Sequence, residues 1–76
     1  MNKDRRARIA ALQAQLQDIM SALDEIRNEE QEAYDNLPES FQDGERGEAM
    51  QTAIEAMESA MESCEEAEGY LEEAQE

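Results

Sequence analysis

The chain has 76 residues, 21 of them Asp or Glu against six Lys or Arg, for a net charge of −15. That balance excludes an ordinary nucleic-acid binder, which needs a basic face, and disfavours anionic membranes. One cysteine and no histidine leave neither an intramolecular disulfide nor a zinc site to support the small core of so short a chain, so oligomerisation is the expected support.

The start, Met1-Asn2-Lys3-Asp4-Arg5-Arg6-Ala7-Arg8, is charged and is not followed by an apolar h-region. No secretory signal is expected, and cytoplasmic residence is the default. No apolar run approaches the ~20 residues that span a bilayer. The first helix is predicted over 4–36. Ile9, Leu12, Leu16, Ile19, Leu23 and Ile26 step alternately by three and four, the a/d spacing of a coiled-coil seam. Glu30, Ala33 and Leu37 continue that register with weaker residues. The residues between are good helix formers, and no Gly or Pro interrupts them.

Residues 37–43 break the pattern and are predicted as a turn. Pro38 disfavours helical geometry at Leu37, and Pro can itself open a new helical turn. Asp43 is the expected N-cap of the second helix. Leu37 and Phe41 are expected to plug the end of the helix pair. The second helix is predicted over 44–74, where Met50, Ile54, Met57, Met61, Cys64 and Leu71 share one stripe, broken at Glu68. Ala53, Ala56, Ala60 and Ala67 flank it and permit close approach of a neighbour. Gly44, Gly47 and Gly69 weaken the helix locally.

Each helix of about 30 residues is roughly 45–50 Å long at 1.5 Å per residue. Matched lengths and a short connection predict an all-α fold, an antiparallel two-helix hairpin over residues 1–76. A lone hairpin leaves part of each apolar face open, so a homodimer forming a four-helix bundle is expected. Leu16, Ile19, Leu23, Met57 and Met61 are its expected central core residues.

The charge is unevenly spread. Residues 1–27 hold five basic and four acidic residues, whereas 28–76 hold one basic and 17 acidic. Along the second helix Glu55, Glu58, Glu62, Glu65, Glu72 and Glu76 fall on one stripe, widened by Glu66 and Glu73. Like charges three or four apart each destabilise a helix by roughly 0.2–0.5 kcal/mol. The plain reading is a solvated face that aids solubility; the functional one is a surface for a cationic partner. Lys3, Arg5, Arg6 and Arg8 are expected to lie beside the acidic end of the second helix and fix the pairing direction.

Chemistry finds little foothold. Cys64 lies on the core stripe with no histidine to activate it, which points to packing. Di-iron bundles need Glu-x-x-His, and Asp43-Gly44 alone makes no calcium loop. No catalytic, cofactor or metal site is expected, and no enzyme. Met20, Met50, Met57 and Met61 read as core, with an adaptable binding face as the rival reading. Tyr34 and Tyr70 flank the seams and either cap core layers or stack on a partner.

The segment Asn36-Leu37-Pro38-Glu39-Ser40-Phe41-Gln42-Asp43-Gly44-Glu45-Arg46-Gly47-Glu48-Ala49-Met50 resembles one found in small uncharacterised acidic helical proteins of phages and mobile elements. The resemblance implies a phage-type context and gives no residue a role. Phages encode acidic proteins that imitate DNA. Carboxylates one helical turn apart, roughly 5–6 Å, approximate the phosphate spacing of a single strand. The functional expectation is therefore an acidic inhibitor that mimics nucleic acid. It would bind a basic, nucleic-acid-handling host protein through Glu55, Glu58, Glu62, Glu65, Glu66, Glu72 and Glu73. A scaffolding helical bundle, and a regulator that binds one partner through an apolar helix face, are the alternatives.

Overall fold

A computed structural model describes residues 1–76 as three helices and no strand: α1, Lys3–Asp35; α2, Glu39–Gln42; and α3, Glu45–Ala74. Helices α1 and α3 pack along their length as an extended antiparallel hairpin, a rod measuring 58 × 15 × 12 Å. Neither long helix is apolar enough to cross a membrane.

α1 starts where Asn2, in extended conformation, accepts a hydrogen bond from the Arg5 backbone N–H at 2.8 Å. That satisfies one of the N–H groups every helix start leaves free. The connection is more structured than a plain turn. Pro38, with its fixed φ, precedes the single turn of α2, and Gln42 Nε2 donates to the Tyr34 carbonyl at 2.9 Å. Asp43 closes α2, and Gly44 is the N-cap of α3, with no side-chain cap bond. The cap expected at Asp43 is thus displaced by one residue, because the extra helical turn uses Asp43 first. Phe41 remains more than half exposed and plugs nothing; Leu37 is half-buried.

Gly47 is one of two buried residues. A Cβ there would overlap the carbonyl group of Gln42, so α2 and the first turn of α3 touch backbone to backbone. Only glycine permits that approach. Composition suggested a mere weak point at this position.

The cross-helix register is set by polar bonds. Gln13 donates to Glu72 at 2.9 Å, Gln17 donates to Glu68, Arg27 reaches Glu58 at 3.5 Å, and Gln51 donates to the Tyr34 hydroxyl at 2.9 Å. Each step up α1 is matched by an equal step down α3. The residues of α1 turned toward α3 form two columns: Ile9, Leu16, Leu23 and Glu30 in one, Gln13, Met20, Arg27 and Tyr34 in the other, all of intermediate exposure. On α3 they are Met50, Met57, Cys64 and Leu71 beside Ile54, Met61, Glu68 and Gln75. The stripe read on α3 therefore faces its partner, with Glu68 among it.

Half of the stripe read on α1 does not. Leu12, Ile19 and Ile26 are 50, 49 and 51% exposed. The apolar residues of α1 fill two columns, Ile9, Leu16 and Leu23 in one and Leu12, Ile19 and Ile26 in the other, and only the first turns toward α3. The column that turns inward instead carries Gln13, Arg27 and Tyr34, the side chains that bond to α3. With polar residues at that contact, the core is thin. Ile54, at 7% exposure, is the only buried hydrophobic residue. Ile19 is not a core residue of the single hairpin, while Leu16, Leu23, Met57 and Met61 are partly covered.

Candidate functional site

The two sides of the rod differ sharply, and the heptad register explains why. In an antiparallel pair, residues just after the first column of each helix share one side, and residues just before the second column share the other. The first side is polar: Gln17, Asp24 and Gln31 of α1 with Gln51, Glu58, Glu65 and Glu72 of α3. It carries the cross-helix bonds, and shallow grooves run along it. One, of about 460 Å³, is lined by Met20, Arg27, Glu58, Met61, Glu62 and Glu65.

All seven stripe glutamates, Glu55, Glu58, Glu62, Glu65, Glu66, Glu72 and Glu73, are exposed on this polar side or the outer surface next to it. Glu58 pairs with Arg27, itself held by Asp24 at 3.0 Å, and Glu72 accepts from Gln13. Glu55, Glu62, Glu65, Glu66 and Glu73 make no side-chain hydrogen bond or ion pair. Their charge is therefore uncompensated within the chain.

The second side is apolar. It carries Leu12, Ile19 and Ile26 of α1 beside Ala53, Ala60 and Ala67 of α3, with Ala22, Ala56 and Ser63 next to them. None of the glutamates of α3 falls among its residues here, although they dominate the rest of the helix. Tyr70, 64% exposed, stands at one end of this side. The signal for it was present in the sequence as the alanine flank and the surplus width of the α1 stripe. It was hidden by assigning Leu12, Ile19 and Ile26 to the hairpin seam.

No protein-family model, curated protein or solved structure matches this chain.

The basic start behaves differently from expectation. Arg8 pairs only with Asp4, on its own helix, at 3.3 Å, and both side chains are largely exposed. Neither it nor Lys3, Arg5 or Arg6 forms an ion pair with the glutamates of α3. The neutral Gln13 and Gln17 take Glu72 and Glu68 instead, because they point across the seam. Arg5 and Arg8 lie toward the apolar side, where with Met1, Ile9 and Leu12 they line a shallow depression of about 260 Å³. The one cross-helix ion pair lies mid-rod, at Arg27 and Glu58. Cys64 is a half-buried free thiol within the seam, and no cluster of potential metal ligands is present.

Proposed function

We propose that this chain is a non-catalytic association module whose hairpins pair through the apolar side into a four-helix bundle. The segregation of the rod carries this reading: leucine, isoleucine and alanine along one side, glutamate on the rest of α3. Scattered apolar residues on a surface need no explanation, but a row of Leu12, Ile19 and Ile26, each about half exposed on a rod with an almost empty core, does. Pairing would bury Leu12, Ile19 and Ile26 and complete a core that a single hairpin leaves thin. Two substitutions test it without touching the seam. Ile19→Asp and Ile26→Asp place a charge in the stripe. The parent should run as a dimer in light scattering at micromolar concentration, and each variant as a monomer that keeps its helical circular dichroism. Variants that associate as the parent does would refute the proposal.

The second reading is the acidic mimic, and the five glutamates without partners favour it. Pairing through the apolar side turns both acidic surfaces outward, where a basic, nucleic-acid-handling protein can meet them. Such binding weakens with salt, because charges are screened within about 8–10 Å at physiological ionic strength. It should also compete with DNA or RNA. The variant with Glu55, Glu62, Glu65 and Glu66, none of which has a side-chain partner in the chain, replaced by Gln keeps helix propensity and loses four charges. It should fold at least as stably as the parent, since like-charge repulsion falls by roughly 0.2–0.5 kcal/mol per relieved pair. Its capture of a DNA-competable partner should drop. Equal capture by parent and variant would leave the stripe a solvated face.

A further inference from the structure

The apolar side is asymmetric, and the asymmetry bears on how a second copy would sit. We infer, on the basis of the pairing reading above, that the two hairpins lie parallel about a two-fold axis running along the helices, with α1 of each packed on α3 of the other. α1 contributes a ridge of large side chains, Leu12, Ile19 and Ile26, and α3 a trough of small ones, Ala53, Ala60 and Ala67. A two-fold axis along the rod carries each ridge onto the opposite trough. The cross-helix bonds place Ile19 near the level of Ala67 and Ile26 near that of Ala60. An axis along the helices leaves those levels unchanged, so the same residues meet between copies. A two-fold axis across the rod sets ridge on ridge and trough on trough, leaving a collision on one side and a gap on the other. Cores tolerate neither well.

Charge does not oppose the pairing, because the glutamates of α3 lie off the apolar side and none is laid against the other copy.

The full chain tests this with a spin label at each end of the rod, in a Cys64→Ala background that removes the native thiol. Ser40→Cys labels the connection, and Glu76→Cys labels the opposite end; both positions are exposed. Pulsed dipolar spectroscopy and sedimentation equilibrium are run on the same samples. The parallel bundle predicts a dimer mass and, at both positions, label separations of roughly 20–30 Å, since neighbouring helices pack 8–10 Å apart. A dimer mass with separations near the 58 Å length of the rod would overturn the orientation and leave the pairing standing. A monomer mass with no dipolar signal would overturn both.

Discussion

Replacing Gly47 with alanine sets two effects against each other. In the interior of a helix alanine is favoured over glycine by about 0.8–1 kcal/mol. At Gly47, however, the new methyl would overlap the Gln42 carbonyl group. Backbone cannot rotate aside as a side chain does, and forced overpacking costs about 1–3 kcal/mol. The clash wins, so Gly47→Ala should lower stability. Gly69 is the matched control, since it too lies inside α3 but a Cβ there meets nothing within 4 Å. Gly69→Ala should raise stability by about 0.5–1 kcal/mol. Urea unfolding followed by circular dichroism, at one fixed protein concentration, reads both. A stabilised Gly47→Ala would contradict the close approach of α2 to α3, and a destabilised Gly69→Ala would contradict the open space beside Gly69.

At the scale of the element, α1 carries two columns of apolar residues, one facing α3 and one open. Leu16 faces α3 and is partly covered; Leu12 lies on the open side. Leu16→Ala should therefore cost about 1–2 kcal/mol at every protein concentration, below the range for fully buried leucine because the site is half covered. Leu12→Ala should act through association, so its cost should shrink as the sample is diluted. A urea series across protein concentrations separates the two, and equal, concentration-independent costs would merge the columns again.

The same comparison marks what the sequence disclosed. Heptad spacing made both long helices legible, and the stripe through Met50, Ile54, Met57 and Met61 was placed correctly on the α1-facing side. Spacing could not say which of the two apolar columns on α1 turns inward. That choice follows from Gln13, Arg27 and Tyr34, whose bonds to Glu72, Glu58 and Gln51 are long-range and leave no local pattern. The Gly47 contact was equally hidden, since it depends on a one-turn helix that folds back against α3. The acidic stripe was readable as a row. Only the register shows that it avoids the side where Ala53, Ala60 and Ala67 lie.

For the molecule as a whole, the thin core and the charge pull in the same direction. A single buried hydrophobic residue supplies little of the burial that offsets chain entropy. A net charge of −15 adds self-repulsion. Pairing through the apolar side, as proposed, would relieve the first problem and limit the added repulsion between two copies, because the glutamates of α3 stay on the outside. Completion of the hairpin by a second copy, as proposed, has a direct consequence for mass. Sedimentation equilibrium of the unmodified chain, from high nanomolar to high micromolar concentration, tests it most directly. Pairing predicts a mass rising toward twice the 8.6 kDa of the single chain; a mass that stays at 8.6 kDa across the whole range would rule it out.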